Sequence, residues 1–292
     1  MRYRPSLHLR PVPSSSRAPT FSHRSQFPKA LIIGINYTEH RNPKFRLKYC
    51  VDDAYAMAHF LRENFRFQER DIHILVDGQS GVSPTKANIL NEMGWLVRDA
   101  RPNDSLFFYF SGHAEQIEDQ NGDEADGFDE CICAMDYRGN AQSCYGRETP
   151  SGLIVDDEMH DIMVKPLPEG CRLTAIFDCC HSGTLLGTSF SDDPWYAQTL
   201  QHPNRARIIR EKGSRADVIS LSACKDEGTA VETDQGGALR SAFIECMSMT
   251  GNQITYCDLV WNLRTYMEAH RFMQRPQLSS SHKIDTNRLF IV

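Results

Sequence analysis

No run of 18 or more apolar residues occurs in this 292-residue chain, so the sequence predicts no membrane-spanning helix. No apolar core of the secretory type stands near Met1. There is no CxxC pair and no cysteine–histidine spacing that suits zinc, although the chain has 10 cysteines. Thiols used in this way fit a reducing, cytoplasmic or nuclear setting. Nor is there a basic excess: the net charge is −6. That argues against nucleic acid or an anionic membrane as partner. No acid precedes Glu39, while Arg2, Arg4, Arg10, Arg17 and Arg24 stand among serines and prolines. Residues 1–28 therefore read as a disordered basic tail. The same composition suits a mitochondrial transit peptide, but Pro5, Pro11 and Pro13 oppose the amphipathic helix that needs, so that reading ranks second.

What the chain does have is an alternation of short apolar runs with helical periodicity. Ala30–Asn36 is a continuous apolar run, the pattern of a strand buried on both faces. Further strands are predicted at Asp71–Asp77, Ser105–Phe110, Leu173–Phe177, Asp217–Ser222 and Arg288–Val292, with a short edge strand at Glu130–Met135. Helices are predicted over Asp52–Phe65, from Ser83-Pro84 to Ala100, and over Val155–Val164, Gly237–Met249 and Thr255–Ala269. Ser83 is the expected cap of the second, Asp156 or Asp157 of the third, and Thr255 opens a capping box with Asp258. The order implies an α/β domain, with a mostly parallel central sheet and helices on both faces. Segments 114–154, 184–216 and 224–236 lack strong periodicity, and loops of that length are usually functional.

Two of the strands end in reactive residues. Tyr109-Phe-Ser-Gly-His113 delivers a histidine, and Ile176-Phe-Asp-Cys-Cys-His-Ser-Gly183 a cysteine pair. In open α/β sheets, chemistry sits at the carboxyl ends of strands. A thiol and an imidazole there suffice for a cysteine nucleophile with its base. Residues i and i+2 share a face, so Ser111 should lie with His113, and Asp178 with Cys180. Cys179 would point to the core, which favours Cys180 as nucleophile. His181, adjacent on an extended chain, would point away and is the second choice of base. Small residues around Gly183 would let a carbonyl approach backbone N–H groups.

Phe110-Ser-Gly-His113, Asp119–Glu130, Val155-Asp-Asp-Glu-Met-His160 and Phe177-Asp-Cys-Cys-His-Ser-Gly-Thr184 resemble the type I metacaspases. So do Lys29–Tyr37, Cys50–Ala54, Pro84–Ile89, Arg101–Leu106 and Arg275–Ser280. The resemblance covers residues 29–292 and implies a caspase-like three-layer fold, with 1–28 in the place of a prodomain. It implies a cysteine endopeptidase with base His113 and nucleophile Cys180, cutting after Arg or Lys. The positions matching the family's P1 pocket are Cys50, Asp53, Ser111 and Asp178. Carboxylates beside the nucleophile suit a basic side chain. The implied partners are protein or peptide substrates, and the implied state is a monomer.

The run Asp119, Asp123, Glu124, Asp126, Asp129, Glu130 does not have EF-hand spacing. By resemblance, calcium ligands fall on Asp129, Asp156 and Asp157, while the fourth ligand position holds Gly187. Three more departures stand out. Ala114 and Glu115 follow the base where the family has Gly, which removes free access to positive φ. Cys179 replaces a serine. The segment after Cys180 is short yet carries Arg205, Arg207, Arg210, Lys212 and Arg215, candidate self-cleavage sites. The expectation is an autoprocessed, calcium-activated peptidase. Its rival is a catalytically weak scaffold acting in protein quality control.

Overall fold

The computed structural model describes residues 28–65, 67–78, 80–119, 127–139, 151–179, 186, 190–191, 212–223, 232–233 and 236–292. Cys180, His181, Gly183, Gly187, the tail at 1–27, Asp123, Glu124, Asp126, Arg205, Arg207 and Arg210 lie outside the described residues.

Five parallel strands form the centre of the molecule. They are β1 (Lys29–Gly34), β2 (Ile72–Val76), β3 (Ser105–Ser111), β7 (Arg172–Asp178) and β9 (Asp217–Ser222). β12 (Gln277–Ser280) adds antiparallel to β9, and β8 (Phe190–Ser191) adds to β12. The order is β2-β1-β3-β7-β9-β12-β8, a mixed sheet. β4 (Ala114–Glu118), β5 (Phe128–Cys133) and β6 (Leu153–Val155) form a separate antiparallel sheet, and β10 (Glu232–Thr233) pairs with β11 (Gly236–Gly237). The helices are α1 (Cys50–Phe65), α2 (Lys86–Val97), α3 (Asp156–Met163), α4 (Ala238–Met249) and α5 (Tyr256–Ala269).

The alternation of the strands builds two cores. Leu31, Ile33, Phe108, Phe110, Leu173 and Phe177 face α2, α3 and the small sheet. Ala30, Ile32, Phe107, Tyr109 and Ile176 face α1, α4 and α5. This double burial is why β1 and β3 read as unbroken apolar runs rather than as alternating ones. Phe107, Phe108 and Phe110 are each fully buried, and each such side chain contributes about 1.5–3 kcal/mol. Gly34 matters here: a Cβ at that position would lie 2.1 Å from the Cys50 carbonyl. Its absence lets the start of α1 rest on the carboxyl end of β1.

Four sequence expectations need correction. The Glu130–Met135 strand is the middle of the small sheet, not an edge of the large one. The cap of α2 is Thr85, whose side chain accepts from the Asn88 amide, because Pro84 gives its carbonyl to Met135 instead. Asp156 and Asp157 begin α3 rather than cap it, since their carboxylates are drawn to Lys212. Residues 288–292 make only an isolated bridge, Thr255 with Leu289, so the last strand is instead Gln277–Ser280. Those four residues are buried and polar at three of four positions, a pattern that conceals a strand.

Candidate active site

Ser111 and Asp178 are register partners at the carboxyl ends of β3 and β7. Asp53 reaches them from the first turn of α1, where Cys50 is the opening residue. The Ser111 hydroxyl donates to Asp53 Oδ2 at 3.2 Å, and the Gly237 amide donates to the same oxygen at 2.9 Å. Asp53 Oδ1 accepts from Arg240 Nε at 3.0 Å and lies 2.8 Å from Arg240 Nη2. Asp178 Oδ2 accepts from the Arg240 amide at 2.8 Å, and the Leu239 amide bonds the same carboxylate. The N-terminus of α4 is thus held by a carboxylate from β7, as its dipole favours. Burial pushes the Asp178 carboxyl up to about 7, with the charge of Asp53 adding to it. Burial raises Asp53 as well, against the opposing charge of Arg240.

The structure therefore brings Asp53, Ser111 and Asp178 together, with Cys50 one turn from Asp53 along α1. Arg240 is the residue the sequence reading missed. Its signal was a cation in the first turn of a helix, where the dipole is unfavourable unless a carboxylate waits nearby.

His113 lies past the end of β3. Its Nε2 is 2.9 Å from the Phe45 carbonyl oxygen. A carbonyl only accepts, so Nε2 carries the proton and, in the neutral ring, Nδ1 is the basic nitrogen. The ring packs against Phe45, with centroids 4.1 Å apart, and against Tyr37 at 5.0 Å. The Tyr37 hydroxyl accepts from the His113 amide at 2.9 Å and donates to the Cys133 carbonyl at 2.7 Å. A second bond, from the Cys133 amide to the His113 carbonyl, ties the same residue to β5.

The i, i+2 expectation stops at Ser111. Ser111 meets α1, whereas the His113 ring meets Tyr37 in the opposite core. The chain turns at Gly112, where a Cβ would come within 2.8 Å of the Tyr37 hydroxyl. Just past β7, Cys179 is fully buried in the core opposite α1. Ala114 costs nothing in backbone freedom, because it opens β4 as ordinary strand paired with Ile132.

Residues 28–189 match the family described as metacaspase, peptidase C14 domain. The chain belongs to the metacaspase family. It is 39% identical to Metacaspase-1 of Debaryomyces hansenii, across 90% of this chain and 67% of that protein. It is 40% identical to Metacaspase-1 of Saccharomyces cerevisiae, across 90% and 68%. A crystal structure of a Geobacter sulfurreducens protein matches with a TM-score of 0.59 at 20% identity, covering 89% of this chain and 95% of that one. This last likeness shows the fold alone. The metacaspase family is one of cysteine peptidases, and the mixed sheet with helices on both faces is its caspase-like fold.

Of the three acidic residues expected from the resemblance to hold calcium, Asp156 and Asp157 pair with a lysine. Lys212 Nζ is 2.9 Å from Asp157 Oδ1 and 3.5 Å from Asp156 Oδ2. Asp156 is fully buried, and its Oδ1 has no hydrogen-bond partner among the described residues. Burial pushes its carboxyl up to about 7; Lys212 opposes this, while Asp157 and the buried Asp129 add to it. His160, one turn along α3, donates from Nε2 to the Lys212 carbonyl at 3.0 Å. Burial lowers that imidazole, which keeps it neutral. The oxygen donors are of the kind calcium takes. Yet among the described residues no three such groups converge closely enough to hold a metal ion. As arranged, the carboxylates of Asp156 and Asp157 serve the Lys212 ammonium.

The Lys212 side chain is 7% exposed and engaged with two carboxylates. Arg215, at 86%, is the described candidate that offers its side chain to solvent.

Proposed function

We propose that this metacaspase is an endopeptidase that cuts after Arg or Lys, with Cys180 as nucleophile and His113 as base. The orientation of His113 is the observation that supports this reading most. Its Nε2–H is committed to Phe45, which assigns proton transfer to Nδ1 at the end of the strand beside β7. In the reaction, the Cys180 thiolate attacks the scissile carbonyl. The resulting oxyanion collapses as His113 donates a proton to the leaving amine. Water, deprotonated by His113, then hydrolyses the acyl-enzyme. The Asp53–Asp178 pair with Ser111 is the recognition site for the basic P1 side chain. Removing the nucleophile with Cys180→Ala should abolish hydrolysis of an Arg-fluorophore peptide; undiminished turnover in that variant refutes the assignment.

Autoprocessing is assigned to Arg205, Arg207, Arg210 or Arg215. Calcium has at most an indirect part, because Lys212 supplies the positive charge that Asp156 and Asp157 require. A second reading, the non-proteolytic scaffold, draws support from one observation: the acidic pair already holds α4 through Arg240. An assay with Arg, Lys and Asp peptides, with and without calcium, separates the two, since the scaffold cleaves none.

A further inference from the structure

We propose that Arg240 is a resident occupant of the P1 pocket, an internal competitor that the substrate's basic side chain must displace. The inference rests on reading Asp53 and Asp178 as that pocket. An ionised carboxylate offers about four lone-pair positions. Those of Asp53 are met by four donors: Ser111 Oγ and the Gly237 amide on Oδ2, and two guanidinium nitrogens of Arg240 on Oδ1. An incoming guanidinium has no vacant position on Asp53 while Arg240 stays. It can be received bidentately only by exchange, one planar fork for another of the same shape.

Exchange is geometrically open because the backbone and the side chain of Arg240 hold different carboxylates. Its backbone N–H holds Asp178, and its side chain holds Asp53. The side chain can swing away while α4 remains seated on β7. The guanidinium also lies on the solvent side of the pair: the Arg240 side chain is 16% exposed, that of Asp53 1%. Tyr109, on the same face of β3, adds an unspent polar atom. Its buried hydroxyl has no hydrogen-bond partner among the described residues and lies within the electrostatic reach of both carboxylates. Two buried carboxylates, one of them paired with an internal guanidinium, make a site that attracts a cation and is already guarded by one.

The test pairs kinetics with binding. Wild type, Arg240→Met and Arg240→Lys are compared on peptides with P1 Arg and with its neutral isostere citrulline. Arg240→Met keeps the amide that holds Asp178, so the expected result is a KM for the Arg peptide at least tenfold lower, with kcat changed less than threefold. Arg240→Lys should restore most of the competition. In a Cys180→Ala background, millimolar agmatine should raise the melting temperature of Arg240→Met by several degrees more than that of its parent. A structural role alone would lower stability without that KM and kcat split. An enzyme that cuts after Arg but whose KM stays level or rises in a folded Arg240→Met overturns the proposal. Cleavage after neutral or acidic P1 residues, with none after Arg or Lys, overturns the pocket reading itself, and the proposal with it.

Discussion

Replacing Lys212 with Met tests the charge balance of the acidic cluster directly. Met keeps most of the apolar stem and removes the ammonium. Removing one partner of a buried ion pair costs about 3–5 kcal/mol, because the remaining charge is left without compensation. Here the two pairs are unequal. Asp156 is fully buried, whereas the Asp157 side chain is 36% exposed and screened by water. An exposed pair contributes about 0–1 kcal/mol, so the loss is assigned mainly to Asp156 and set near 3 kcal/mol. For a domain of this size, 1 kcal/mol moves Tm by about 2–4 °C, so thermal unfolding of Lys212→Met should come about 6–12 °C early. Once the ammonium is gone, the oxygens of Asp156 and Asp157 become available to a divalent cation. Calcium at a hundred times its Kd then restores about 2.7 kcal/mol, most of the loss. Melting curves and calorimetric titration, each with calcium and with a magnesium control, measure both effects. A variant that melts with the wild type refutes the claim that Lys212 neutralises the cluster. Equal calcium affinity in the two proteins refutes the claim that Lys212 competes with the ion.

Three further outcomes follow. Tyr37→Phe keeps the ring against Phe45 but leaves the His113 amide and the buried Cys133 carbonyl without their hydroxyl partner. With about 1–3 kcal/mol for each stranded group, stability should fall by roughly 2–4 kcal/mol and kcat should drop with the orientation of His113; an unchanged urea midpoint refutes this. Asp178 has a folded-state pKa raised from the ordinary carboxylate range to about 7. Its stabilising share is therefore complete below about pH 4 and is lost as pH rises through about 7. Asp178→Asn should accordingly gain on the wild type in urea midpoint between pH 5 and pH 8, and parallel pH profiles contradict it. Cleavage after Arg215 should give two bands on a denaturing gel but one species of full size in native gel filtration, because β9 is locked between β7 and β12; separated fragments contradict this.

How legible was all this in the sequence? The parallel strands were plain, because burial on both faces writes each as an unbroken apolar run. The helices were plain from their spacing. What failed was local and physical. β12 is buried yet mostly polar, so no periodicity marks it. β4 to β6 are short and bound to one another, and their pattern dissolved into a long apparent loop. At the site, strand alternation correctly placed Ser111 beside Asp178 and Cys179 in the core. It could not carry across Gly112, where the chain turns. The two residues that most alter the chemistry, Arg240 and Lys212, are ordinary surface types in sequence. Their importance comes from carboxylates 187 and 56 positions away, and only the fold brings these together.

Those two cations act alike, and this bears on the rivalry between peptidase and scaffold. Each neutralises carboxylates that come earlier in the chain: Arg240 on Asp53, Lys212 on Asp156 and Asp157. Each is also held by a backbone bond besides its charge, Arg240 through its amide to Asp178 and Lys212 through its carbonyl to His160. A scaffold has no need of side-chain cations that can leave while their backbones stay anchored. A peptidase does, since a buried acidic pocket must remain neutralised before substrate arrives and must open when it does. The separability of backbone anchor from side-chain charge therefore favours a site built for exchange over one built only for stability.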